Sequence, residues 1–150
     1  MTTEENAYSL QEYQEDELVE VEVDLAEYFK QGLLAYRKKD YDNAIEIFSS
    51  IIEAMPELVE AHINLGNAYF KVSRKKEAID CWKTALKIEP DLVNCYVNIG
   101  NAYYSDGNVE EAIAHWQVAA TFAPDHKTVT INLGTAHEGL GNHSLAFKYY

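Results

Sequence analysis

The chain has 150 residues, 47% of them hydrophobic and 12% aromatic. Its net charge of −13 is unevenly placed: ten of the 25 acids fall in residues 1–27, where no Lys or Arg occurs, and the remainder sets 15 acids against 12 bases. No basic stripe is left to neutralise a phosphate backbone, which argues against nucleic acid as a partner, and no apolar run approaches the ~18 residues of a membrane span, which argues against direct membrane insertion.

Residues 1–24 combine acids with Tyr8, Leu10, Tyr13 and the alternation Val19-Glu20-Val21-Glu22-Val23-Asp24. The first reading is an acidic, solvated and disordered tail. A second has the tail docking in a groove, its own or a neighbour's, with Tyr8 and Tyr13 as anchors and the acids facing Lys30, Arg37 and Lys71. Pairing of two tails as strands is a third, because strict alternation suits a strand. The opening Met-Thr-Thr-Glu-Glu lacks the basic and apolar regions of a secretory leader, and Cys81 and Cys95 are the only cysteines. A cytoplasmic location is the expectation.

From residue 25 onward a step of 34 governs the chain. Gly32, Gly66, Gly100 and Gly134 share it, as do Ala44, Ala78, Ala112 and Ala146, the aromatics Phe48, Trp82, Trp116 and Tyr150, and Pro56, Pro90 and Pro124. A fixed period of this length means a stacked array in which each unit buries its apolar face against its neighbours. The units run 25–58, 59–92 and 93–126, with a truncated fourth at 127–150.

In the second unit His62, Leu65, Gly66 and Tyr69 make one stripe of an amphipathic helix, A. Ser73-Arg-Lys-Lys interrupts it, and Ala78, Ile79, Trp82, Ala85 and Leu86 make the stripe of a helix B that ends before Pro90. Asp106-Gly107-Asn108 and Gly141-Asn142 mark the same A–B turn in later units. Asp91 and Asp125, just after the prolines, are candidate caps for the next A helix. Glycine inside helix A lets helix B approach closely, with Trp82 filling the volume between repeats.

The order Leu65-Gly66, Tyr69, Ala78, Trp82, Ala85, Pro90, repeated as Ile99-Gly100, Tyr103, Ala112, Trp116, Ala119, Pro124, resembles the tetratricopeptide repeat over residues 25 to 150. The first unit departs from it at Gln31, Ala35 and Ile51 and the fourth at Thr130 and His137, as expected of terminal units. The resemblance implies an all-α solenoid of antiparallel helix pairs, wound as a right-handed superhelix whose A helices line the concave side. It also implies protein binding in that groove. Some members clamp a C-terminal carboxylate with basic and Asn residues on successive A helices. Here Phe29 and Leu33 stand where a Lys and an Asn would be, although Asn64 fits.

Opposite the buried stripe of helix A lie Ile63, Asn64, Asn67, Phe70 and Lys71. The third unit has Val97, Asn98, Asn101, Tyr104 and Ser105 there, the fourth Ile131, Asn132, Thr135 and Glu138, and the first Phe29, Lys30, Leu33, Tyr36 and Arg37. A ladder of Asn64, Asn98 and Asn132 beside Asn67 and Asn101 suits the amides of an extended peptide, and Tyr36, Phe70 and Tyr104 suit its side chains. Lys30, Arg37 and Lys71 bias one end toward acidic ligands. In the competing reading the same side chains bond between neighbouring A helices and touch no partner.

No enzyme signature, metal spacing or phosphate-binding loop is present, so no catalytic residue, metal or cofactor is expected. His62 and His137 fall on the buried stripe as core residues. His115, His126 and His143 lack ligand partners at helical spacing. The pattern stops within the fourth B helix, at Leu145, Ala146, Phe147 and Tyr150. Either a longer protein continues it or another copy covers the apolar end. The leading expectation is therefore an adaptor or scaffold with a protein or peptide ligand. The alternatives are a self-assembling homo-oligomeric module, the targeting domain of a larger enzyme, and a chaperone for secreted proteins.

Overall fold

The computed structural model describes residues 25–150, and the acidic segment with Tyr8 and Tyr13 lies outside them. Among the described residues there are eight helices and no strand. Helix α1 runs through residues 25–37, followed by α2 (Tyr41–Ala54), α3 (Val59–Lys71), α4 (Lys75–Ile88), α5 (Val93–Ser105), α6 (Val109–Phe122), α7 (Lys127–Gly139) and α8 (His143–Tyr149). Odd-numbered helices are the A helices and even-numbered ones the B helices. Close packing runs between helices consecutive in the chain, which is the signature of a solenoid.

The glycines explain how A and B meet. A Cβ on Gly66 would stand 2.6 Å from the indole nitrogen of Trp82. At Gly32 and Gly134 it would lie 2.9 Å from ring carbons of Phe48 and Tyr150, and at Gly100 it would overlap Trp116. Each B-helix aromatic thus sits directly on the bare backbone of its own A helix. Gly66 and Trp82 lie on opposite sides of the turn at 72–74, at similar distances along the chain, so the two helices are antiparallel. Trp82 also reaches the next repeat, packing in one cluster with Cys95, Ile99 and Ala102 of α5. The ring therefore fills space both within a repeat and between repeats. Ala44, Ala78 and Ala112 are fully buried beside these rings.

Every A helix ends in the same left-handed residue, at Lys39 (φ 64°), Ser73 (φ 63°), Gly107 (φ 81°) and Gly141 (φ 75°). The next residue's N–H reaches back five positions, as in Arg74 N–H to Tyr69 O at 2.9 Å and Asn108 N–H to Tyr103 O at 3.0 Å. These are Schellman closures, which satisfy the last carbonyls of the helix. Gly107 and Gly141 adopt this geometry freely, whereas Lys39 and Ser73 carry a Cβ against the carbonyl. B helices close differently. Their C-caps Met55, Glu89 and Ala123 take extended ψ values of 79°, 103° and 80°, the conformation a following proline imposes.

Asp91 and Asp125 do not cap the A helices, contrary to the sequence-based expectation. The N-cap positions fall one residue later, on Leu92 and His126, and neither supplies a side-chain bond. Backbone closes the turn instead, with Cys95 N–H donating to Leu92 O at 3.0 Å. The chain entering helix A is tethered from another position. His62 Nε2 bonds Pro56 O at 2.7 Å, and Tyr96 one repeat later bonds Pro90 O at 3.1 Å. A carbonyl only accepts, so His62 is the Nε2–H donor here, and its ring is buried. His137 is buried as well and stacks on Tyr149 with centroids 5.7 Å apart. One repeat earlier Tyr103 meets His115 at 5.3 Å, the same pair with the residues exchanged.

Removing the seated ring should be severe: Trp82→Ala is expected to cost about 3–5 kcal/mol and Gly66→Ala about 1–3 kcal/mol, by urea unfolding followed by circular dichroism. The turn residues give a prediction of opposite sign. Ser73→Gly is expected to stabilise by about 0.5 kcal/mol and Gly107→Ala to destabilise by about 1 kcal/mol, read as shifts in unfolding midpoint.

Candidate functional site

The A-helix residues singled out from the sequence gather into two hollows one repeat apart. The first, about 300 Å³, is lined by Tyr36, Asn67, Phe70, Lys71, Trp82, Asn98 and Asn101. The second, about 180 Å³, is lined by Asn101, Tyr104, Trp116, Asn132 and Thr135. Asn101 belongs to both, so the hollows adjoin.

Their floors are made by the rings that build the stack. Phe70 lies against Trp82 with centroids 5.9 Å apart, and Tyr104 against Trp116 at 5.5 Å. Tyr36 meets Tyr41 edge-on at 5.4 Å. Burial and then the neighbouring Tyr41 push the Tyr36 phenol above its ordinary value, so it remains a neutral hydroxyl that can donate. Trp82 and Trp116 are almost fully buried, yet an edge of each contributes to a hollow. Sequence reasoning assigned both only to the core. Their recurrence in register with Phe70 and Tyr104 was the available signal.

The carboxamides bond across helices in a regular pattern. Asn98 Nδ2 donates to Asn67 Oδ1 at 3.2 Å, joining α5 to α3, and Asn132 Nδ2 donates to Asn101 Oδ1 at 2.9 Å, joining α7 to α5. Asn67 Oδ1 also accepts from the Trp82 indole at 3.2 Å. The indole is a donor only, which fixes the oxygen of Asn67 toward it and the NH₂ away from it. Internal bonding and groove lining are thus both properties of these residues.

Asn64 departs from the expected ladder, since its Nδ2 donates to Glu60 O of its own helix at 2.7 Å. The bonds at Asn98 and Asn132 each reach a residue 31 positions earlier. For Asn64 that position is Leu33, whose side chain has no oxygen to offer. Val97 also departs, for it is buried with Ile113, Trp116 and Leu133, and its carbonyl accepts from the Trp116 indole at 3.3 Å. The equivalent Ile131 is 57% exposed.

The basic residues do not converge. Lys71 lines the first hollow, Arg37 is exposed and lines neither, and Lys30 lies 3.7 Å from Glu27. Lys30 instead borders a separate apolar hollow of about 680 Å³ with Leu25, Ala26, Phe29, Ile51, Met55, Leu58 and Glu60. That hollow is the largest of those described, but it abuts the point where the described residues begin. It holds none of the asparagines.

Among the described residues no group of three His, Cys, Asp or Glu side chains could hold a metal ion, and no helix is long and apolar enough to cross a membrane. Burial pushes both the Cys81 and Cys95 thiols up to about 11, so each is an un-ionised, poor nucleophile near neutrality.

Tetratricopeptide repeat profiles match residues 28–57, 59–92 and 97–150. The chain belongs to the tetratricopeptide repeat family. Solved structures of the same fold include a crystal structure of MamA, at TM-score 0.80 and 21% identity, covering 99% of this chain and 91% of that one. MamA from Desulfovibrio magneticus RS-1 (residues 41 to the end) aligns at TM-score 0.77 and 21% identity, over 84% of this chain and 71% of that one. The first tetratricopeptide domain of Spaghetti (RPAP3), bound to the HSP90 peptide SRMEEVD, aligns at TM-score 0.73 and 19% identity, over 79% of this chain and 94% of that one. No curated protein sequence matches the chain. Tetratricopeptide repeats are protein-interaction folds, and this chain has that architecture throughout the described residues.

The bonding pattern separates two asparagines of similar exposure. Asn67→Ala should cost about 1–2 kcal/mol, because it strips the acceptor from the Trp82 indole and from Asn98 together. Asn64→Ala should cost less than about 0.5 kcal/mol, since its bond stays within one exposed helix surface. Chemical unfolding of the two variants side by side gives the comparison.

Proposed function

We propose that this chain is an adaptor or scaffold module of the cytoplasm that holds an extended peptide segment of a partner protein along the Asn- and aromatic-lined face of α3, α5 and α7. The observation that carries this reading is the repeated hollow, which presents a carboxamide pair and an aromatic ring twice in succession. The internal bonds hold the carboxamides in place, so a ligand meets groups that are already oriented and little ordering entropy is lost on binding. Each hollow pairs a free amide donor with an aromatic surface, which is what a peptide's carbonyls and side chains require.

The proposal assigns the module no cofactor and no chemistry of its own. The RPAP3 domain holds an acidic peptide, SRMEEVD, which supports a ligand of that general kind in this fold. A carboxylate clamp like that of some relatives is not part of the proposal, because Phe29 and Leu33 replace two of its polar groups. Lys71 at the first hollow favours an acidic residue nearby instead.

Selection from a displayed library of random peptides tests the reading. Peptides retained by the wild-type chain are expected to bind Phe70→Ala and Asn98→Ala about tenfold more weakly or worse, with helicity by circular dichroism unchanged. Affinity that is indifferent to both substitutions would remove the groove from consideration.

A further inference from the structure

Arg37 and Lys71 share no hollow, yet both belong to one basic edge of the stack. Helices alternate in direction along the solenoid, so the A–B turns lie on one edge and the B–A turns on the other. The α1–α2 turn brings Arg37, Lys38 and Lys39 to the first edge, and the α3–α4 turn brings Lys71, Arg74, Lys75 and Lys76. Seven of the chain's 12 Lys and Arg thus stand there, and the α5–α6 and α7–α8 turns add none. The opposite edge begins with Glu53, Glu57 and Glu60, so the positive charge is a property of one side.

The two basic turns face each other. Tyr36 and Lys71, which flank them, line one hollow. The Arg74 guanidinium is held charged first by its Glu77 hydrogen bond, and Asp42 of the preceding turn contributes as well. The other acids on this edge are engaged. Asp40 Oδ1 accepts the Asn43 N–H at 3.4 Å, Glu77 holds Arg74 at 2.9 Å, and Asp106 holds Lys75. Arg37, Lys38, Lys39, Lys71 and Lys76 are exposed, and among the described residues no carboxylate pairs with any of them. Like charges gathered in this way repel one another, and an acidic partner relieves that repulsion.

The chain carries such a partner. Residues 1–24 hold nine acids and no Lys or Arg, with Glu12, Glu15, Asp16 and Glu17 gathered in one stretch. They lie outside the described residues, and charge and reach are what assign them. The segment joins α1 at residue 25, the end remote from the basic turn. Helix α1 is about 20 Å long at ~1.5 Å per residue, so ~6 extended residues at ~3.3 Å each run back along it. Residues 19–24 cover that path, and Glu12–Glu17 arrive at the turn.

We propose that the acidic stretch Glu12–Glu17 docks on the basic edge of its own chain, against Lys38, Lys39, Lys71 and Lys76. Each exposed ion pair is weak, but attachment to α1 makes the contact intramolecular and several pairs act together. Because Lys71 also lines the first hollow, the docked segment competes with an acidic ligand there. The docking itself does not depend on that hollow being a peptide site.

Carbodiimide coupling, which joins a carboxylate to an amine in contact with it, tests the proposal on the full chain in ~0.1 M salt. Peptide mapping by mass spectrometry is expected to find Glu12–Glu17 joined to Lys38, Lys39, Lys71 or Lys76 about fivefold more often than to the exposed Lys83, Lys87, Lys127 and Lys148. That preference is expected to fall several-fold in ~1 M salt, where the Debye length is ~3 Å. Lys38→Glu with Lys76→Glu is expected to reduce coupling at the unaltered Lys39 and Lys71, with helicity by circular dichroism unchanged. Coupling spread evenly over all the lysines, or none from Glu12–Glu17, overturns the docking. An equal mixture of isotopically labelled and unlabelled chain separates the occupants. Couplings within one isotope population support the proposal, and mixed pairs in statistical proportion overturn it in favour of a second copy.

Discussion

The structure depends on a ring seated on a glycine. Trp82 on Gly66 and Trp116 on Gly100 bring each B helix against its A helix at a distance that any side chain on the A helix would forbid. Glycine in a helix interior costs about 1 kcal/mol relative to alanine. Burying an indole of this size returns more than that, so the recurrence of glycine is a packing requirement with no role for backbone flexibility. The same indoles extend into the next repeat, which makes one contact serve both the unit and the stack.

This constraint also builds the candidate site. With the indole drawn down onto the glycine, its nitrogen reaches Asn67 Oδ1 in one repeat and Val97 O in the next. Asn67 is thereby oriented and accepts Asn98 from the following A helix. Phe70 and Tyr104 rest on the same indoles from the open side. Core and groove are two faces of one arrangement, which is why the hollows recur with the repeat. Substitutions in the floor will therefore affect stability and the shape of the hollows together.

Variation between repeats follows from the same geometry. The carboxamide bond needs an asparagine 31 residues before its donor, and the first unit offers Leu33 there. Asn64 consequently turns to its own helix. The left-handed turn residue is glycine in the last two units and Lys39 or Ser73 in the first two, so strain is stored at the first two turns alone.

The sequence by itself determined the period, the two helices of each unit, the prolines that stop the B helices and the glycine–aromatic register. All of these are local or strictly periodic signals, and the chain repeats them in phase. It also placed Tyr36, Asn67, Phe70, Asn98, Asn101, Tyr104 and Asn132 on one side of the A helices, because a helical wheel is a property of spacing alone. Only the tertiary structure decided which of those residues bond to one another, that Val97 is enclosed by α6 and α7 while Ile131 is open, and that Asp91 and Asp125 fall one position short of capping. Each of these turns on an offset of a few ångströms between helices or on one residue of helix boundary. A wheel drawn for a single helix contains no information about either.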